Sequence, residues 1–143
     1  MKNVWLPDAN VLLCYLLRDI PDKVAVTEDF FEKVRSGSRQ AILHEGVLAE
    51  VVFILQRHYG VPRARLVETL IELLRYKGFV NNDREALICA LQIFAEQSLD
   101  FVDCILIAHN RCNKHQVLTF DNKIQKLLDS AASASPHRTP HAS

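Results

Sequence analysis

Four carboxylates in this chain stand in apolar company. Asp8 follows the run "VWLP", Glu50 sits inside "GVLAEVVFIL", Asp103 inside "FVDCILIA", and Asp121 comes directly after "QVLTF". Taking a carboxylate out of water is costly unless it is paired, hydrogen-bonded or bound to a cation. Glu50 has Gly46, Val47, Phe53 and Ile54 three and four places away, so no basic side chain pairs with it along its own helix. Acids that converge are relieved together by a divalent cation, and all-carboxylate ligation suits Mg2+ or Mn2+ better than zinc. Simpler readings exist. Asp8 and Asp121 are also well placed as helix N-caps, and Asp100 with Asp103 is close to a capping-box arrangement. Glu50, in mid-helix, has no such role. Asn10 and Thr119 each lie two residues from a proposed ligand, where an amide or hydroxyl orients a carboxylate or a water, or closes a local turn.

The elements that must position these acids alternate between short strands and helices. Residues 2–7 read as a strand ending at Pro7, followed by a helix from Asn10 to about Leu17. A second helix starts at Asp22 or Thr27 and stops at Gly37; "QAILH" is a strand, and "EGVLAEVVFILQRHYG" a helix ending at Gly60. Pro62 suits the first turn of a helix running to about Tyr76, "GFVNN" is a brief strand or turn, and Asp83 caps a helix over 84–97. "LDFVDCILIAHNRC" is a further helix, "QVLTF" a late strand and "DNKIQKLLD" a last helix. The sequence has no internal repeat and no hairpin signal. It predicts an α/β fold, a three-layer α/β/α sandwich with a mostly parallel central sheet. Asp8 and Asp121 then fall at carboxyl ends of strands, the edge where open parallel sheets place their sites. The expected domain spans 1–129. The segment 130–143, "SAASASPHRTPHAS", reads as a disordered C-terminal tail.

Composition narrows the partners. At 143 residues the chain fits one domain, and its 17 Lys and Arg balance 17 Asp and Glu, so nucleic acid would be gripped only by a local basic patch. Arg111, Lys114, Lys123 and Lys126, close in sequence to two of the acids, are the candidate phosphate contacts. Cys14, Cys89, Cys104 and Cys112 contain no C-x-x-C pair and are expected buried and reduced, consistent with a cytoplasmic protein. Cys112 with His115 does not make a zinc site. No stretch reaches the roughly 20 apolar residues of a membrane span, and Asp8 and Asn10 break any leader-like run. No Ser-His-Asp arrangement and no histidine pair suited to acid–base cleavage is evident.

Taken in order, "LPDANVLLCYLLRD", "GVLAEVVFILQRHYG", "LDFVDCILIAHNRC" and "VLTFDNKIQKL" resemble the PIN-domain family, most closely the VapC-type toxins of prokaryotic toxin–antitoxin pairs, over residues 3–128. The resemblance implies a metal-dependent endoribonuclease in which Asp8, Glu50, Asp103 and Asp121 are catalytic and ligate Mg2+ or Mn2+. Asp100 is then an accessory ligand on the face of Asp103, and Asn10 and Thr119 support the ligands. It further implies an RNA substrate, an antitoxin partner and a homodimer. Metal-activated water as nucleophile implies 5′-phosphate and 3′-hydroxyl products. One position departs from the family pattern: Ala9 stands where Thr or Ser is usual. Two other readings compete. A phosphoryl-transfer or receiver-type domain would want adjacent acids at one strand end and a lysine beyond a late strand, whereas Asp8 is flanked by Pro7 and Ala9. A non-catalytic interaction module on the same scaffold is the other.

Overall fold

A computed structural model describes residues 3–134. The chain runs β1 (Val4–Trp5), α1 (Ala9–Leu17), α2 (Pro21–Ser36), β2 (Gln40–Ala41), α3 (Glu45–Arg57), α4 (Arg63–Leu74), α5 (Arg84–Glu96), α6 (Phe101–Asn113) and α7 (Asn122–Ala134). The helices follow their local signals. Pro21 starts α2 at the first turn, where its missing N–H is no loss, and Gly37 ends it with φ of 90°. Pro62 precedes α4, and His44 caps α3 through its Nδ1, which accepts the Gly46 N–H at 2.9 Å.

The sheet is parallel and small. Val4 pairs with Gln40 and Trp5 with Ala41, and Ala41 bridges Phe79 on its other side. β2 is therefore the central segment, and among the described residues β1 has a neighbour on one edge only. Gly78 is required beside β2: a Cβ there would lie 2.1 Å from the Arg39 carbonyl oxygen and 2.6 Å from that of Val34. Beyond β2 the ladder is continued by a side chain. Asn81 accepts the Leu43 N–H at 2.9 Å and donates to the Leu43 carbonyl at 2.8 Å, so a buried amide satisfies the backbone where strand pairing stops.

The core lies among the helices. α5 packs on α4 and α6, α3 on α1, α4 and α6, and α7 on α6. Leu12, Phe31, Leu43, Leu48, Leu70, Leu87, Leu91 and Ile107 are wholly buried, and Ile124 and Leu128 anchor α7. The apolar residues of α4 face this core and do not form a free partner surface. Arg84 braces the sheet side by donating from Nε to the Leu74 carbonyl at 2.9 Å and from its guanidinium to the Phe79 carbonyl.

Several expectations need correction. β1 spans two residues, and α3 ends at Arg57, three residues before Gly60. "QVLTF" is not a strand: residues 114–121 are irregular, with Leu118 93% and Phe120 99% exposed. A five-residue run becomes a strand only where a ladder partner meets it, and none does here. α7 continues to Ala134, past the expected boundary at 129, because its alanines are strong helix formers. The rest of the expected tail lies outside the described residues. Cys104 is buried, but Cys14 and Cys89 are half-buried and Cys112 is exposed, since α6 turns its C-terminal end outward.

Candidate active site

The turn from α5 into α6 carries the acidic end of the molecule. Arg63, at the start of α4, donates from Nη1 to the carbonyls of Phe94, Gln97 and Leu99, each at 3.0 Å. Its guanidinium also lies 3.9 Å from the Phe94 ring centroid. One cation thus satisfies the last carbonyls of α5 and sets the direction in which α6 begins. Leu99 and Phe101 are buried on either side of Asp100, so Asp100 is held at the N-cap position of α6. Its carboxylate makes no capping bond, unlike the usual behaviour of an N-cap aspartate.

Asp103 follows in the first turn of α6 and is half-buried. Its carboxyl is raised above the ordinary aspartate range by burial first, then by the charge of Asp100, then by that of Asp121. Nothing acts in the opposite direction. Asp121 is positioned by local bonds: its Oδ1 accepts the N–H of Lys123 at 2.8 Å and of Ile124 at 3.1 Å, starting α7. The Thr119 hydroxyl accepts the Asp121 N–H at 3.0 Å, and Lys123 Nζ donates to the Ser98 carbonyl at 2.9 Å. That last bond ties the start of α7 to the α5–α6 turn and keeps Asp121 within electrostatic reach of Asp103.

The other expected residues lie elsewhere. Asp8 caps α1, its Oδ1 accepting the Val11 N–H at 2.9 Å, and Asn10 is exposed on the first turn of that helix. Glu50 lies on the exposed face of α3 that also carries Phe53. Asp8, Glu50 and Asp121 are all exposed, which corrects the expectation of buried acids. For Glu50 the reason is plain. α3 turns Leu48, Val51, Val52 and Leu55 inward, whereas the apolar neighbour Phe53 is itself 55% exposed. Apolar neighbours in sequence bury a helical residue only if they share its face.

Asp103 thus lies within electrostatic reach of Asp100 and Asp121, whereas Asp8 caps α1 and Glu50 shares the exposed face of α3 with Phe53, three residues on. Among the described residues, no three His, Cys, Asp or Glu side chains converge closely enough to hold a metal ion.

Of the candidate phosphate contacts, Arg111, Lys114 and Lys126 are exposed, with Lys114 in the left-handed conformation that ends α6. Lys123 is engaged with Ser98. His109 shares a 2.8 Å contact with Glu45 and stacks on His115 at 5.8 Å. Neither Cys89 nor Cys104 is an activated nucleophile. Burial pushes Cys104 up to about 12, and burial with the neighbouring Cys112 pushes Cys89 up to about 11.

Sequence reasoning missed two features. One is Arg63, whose role depends on carbonyls 31 to 36 residues away. The other is a cavity of about 270 Å3 between α3 and α6, lined by Phe53, Gln56 and Arg57 on one side and by Asp100 and Asp103 on the other. The Phe53–Arg57 spacing of four was visible in the sequence as a pair on one helical face.

The PIN domain matches residues 6–128 of the chain. A VapC ribonuclease of Aquifex aeolicus (strain VF5) is 24% identical over 123 residues, covering 85% of this chain and 90% of that protein. No solved structure matches the chain.

Proposed function

The chain belongs to the PIN-domain family, whose three-layer α/β/α class its helix-flanked parallel sheet fits, and on that premise we propose that it is a Mg2+- or Mn2+-dependent endoribonuclease. The similarity to a VapC ribonuclease supports RNA as substrate, and with it a role as the toxin of a toxin–antitoxin pair in the cytoplasm. The observation that carries the reading is the electrostatics of Asp103. Its charge is opposed by burial, Asp100 and Asp121 together, and among the described residues no cation offsets that repulsion.

The donor chemistry fits a hard divalent ion, since every candidate ligand is a carboxylate. Asp103, Asp121 and Asp100 would hold it, with Asp8 and Glu50 completing the set. When bound, such an ion supplies a water of lowered pKa and positive charge opposite the phosphodiester. The protein's own groups do the positioning. Asp121 keeps Oδ2 free while Oδ1 starts α7, and Asp8 is arranged in the same way on α1. The Thr119 hydroxyl and Lys123 hold Asp121 toward α6. Attack by water gives 5′-phosphate and 3′-hydroxyl ends.

Purified protein is expected to cleave RNA with magnesium or manganese and to lose all cleavage in EDTA. Asp103→Asn and Asp8→Asn are each expected to abolish cleavage with the fold intact; full activity in either variant would overturn the assignment. The spacing of the acids favours a second reading, a non-catalytic interaction module, since among the described residues no three lie close enough to hold a metal ion. Calorimetry distinguishes them: no heat of binding at millimolar metal would select the inert module.

A further inference from the structure

The cavity between α3 and α6 has a composition that the hydrolytic groups do not explain. Its α3 wall presents Phe53, 55% exposed, and its α6 wall presents Val102, 57% exposed. Leu48, Val51, Val52 and Leu55 of α3 are buried, so Phe53 is the aromatic side chain that this helix leaves uncovered. Arg57, one turn further on, places its guanidinium 5.8 Å from the Phe53 ring centroid, and Gln56 adds an amide with donors and an acceptor. Asp100 and Asp103 line the opposite end of the same cavity.

We propose that this cavity is the subsite for one unstacked base of single-stranded RNA, with Phe53 as the stacking platform and Arg57 as the contact to the adjoining phosphate. The proposal rests on the reading of the acidic end as a site acting on RNA, and it adds the form of RNA that the site accepts. A flat aromatic face beside a cation is how proteins hold bases without reading their sequence. Such a base must be free of its duplex neighbours, so the subsite selects loops and single strands over helices. An exposed aromatic ring with a cation 5.8 Å away favours a nucleotide over a protein segment, the ring serving the base and Arg57 its phosphate. The Asp100 and Asp103 carboxylates repel a phosphate, so it is Arg57 on the α3 wall that fixes where the phosphate sits. The neutral net charge of the chain is consistent with this, since the grip comes from one stacked base and one local cation.

The test uses the full chain carrying Asp103→Asn to remove cleavage, and an end-labelled single-stranded RNA pool of random sequence as probe. Phe53→Ala is expected to weaken binding about 5- to 100-fold, the span of one lost base stack, and Phe53→Trp to restore it. Arg57→Ala is expected to weaken binding across all sequences and to reduce the salt slope by about one. The single native tryptophan allows a direct readout. In a Trp5→Phe background, the Trp of Phe53→Trp is expected to be quenched by single-stranded RNA and not by the same RNA annealed to its complement. With Asp103 intact, Phe53→Ala raises KM and leaves kcat near its original value. Phe53 is more than half exposed, so these variants are expected to keep their thermal midpoint. RNA binding indifferent to Phe53→Ala, or equal quenching by duplex, overturns the proposal. If Phe53→Ala instead abolishes association with a protein partner while RNA binding stays unchanged, the cavity belongs to a protein segment and the proposal falls. The two readings fail separately. Phe53-dependent RNA binding without metal-dependent cleavage removes the nuclease and keeps the subsite; cleavage indifferent to Phe53 does the reverse.

Discussion

The α4–α5–α6 body and the end built from β1 and residues 114–121 are organised in opposite ways. In the body, Leu70, Leu74, Leu87, Leu91 and Ile107 have no exposure at all, and Arg63 and Arg84 satisfy the carbonyls at the helix ends. At the other end, Val4, Trp5, Leu6, Leu118 and Phe120 face solvent, and the backbone of 116–120 has no strand partner. Stability thus resides in the helices, and the acids sit where one region meets the other. Asp103 belongs to the packed body, whereas Asp121 follows the exposed segment and is fastened by Thr119 and Lys123. A site assembled across such a boundary gains or loses ligands when one segment moves, without disturbing the core.

The sharpest test of that division is a pair of leucines. Leu91→Ala is expected to cost about 2–5 kcal/mol in urea unfolding, because its side chain is fully enclosed by packed helices. Arg63→Ala comes next, at about 1.5–3 kcal/mol, since three carbonyls lose a charged donor. Cleavage by that variant should fall as well, because Arg63 sets the start of α6; an unchanged cleavage rate would place the acids outside its influence.

Smaller effects are expected where the regions meet. The folded-state pKa of Asp103 is raised, so its contribution to stability is complete in acid and is lost as pH rises through that raised value. Asp103→Asn should therefore melt slightly higher than the wild type at neutral pH in metal-free buffer. The gain should vanish below the ordinary aspartate range. Melts at both pH values check the sign, and a variant less stable at pH 7 would show that the carboxylate is favourably held. The smallest effects belong to the open segment: Leu118→Ala and Phe120→Ala should each change stability by no more than about 0.5 kcal/mol. A loss comparable to that of Leu91→Ala would mean that the segment is packed in solution and that the contrast between the regions is false.

The helices were legible because their signals are local. Gly37 and Pro62 mark boundaries through their own backbone requirements, Asp100 stands at the N-cap position of α6, and α5 and α6 follow from apolar residues at helical spacing. The late strand was not legible, since alternation in "QVLTF" says that the segment suits a sheet and not that a partner edge receives it. The acids divide in the same way. Asp100, Asp103 and Asp121 lie on or beside two helices whose packing follows from sequence pattern, and Asp103 feels the charge of both others. The exposure of Glu50 was not legible, because the apolar residues around it point in several directions from one helix. Arg63 left no sequence signal, as its partners are defined only after α4, α5 and α6 have packed.

The uncovered edge of β1 also bears on how the protein behaves in concentrated solution. Among the described residues the outer edge of β1 has no strand partner, and with Leu118 and Phe120 exposed on 114–121 it forms an attachment point for any extended chain that meets it. Most proteins hold such encounters off by charge, but this chain carries no net charge and has an isoelectric point near 7.0. Its solubility should accordingly be lowest at neutral pH. A single lysine in place of Leu118 would both charge the molecule and guard the strand-forming segment, which makes it the first substitution to try for concentrated samples.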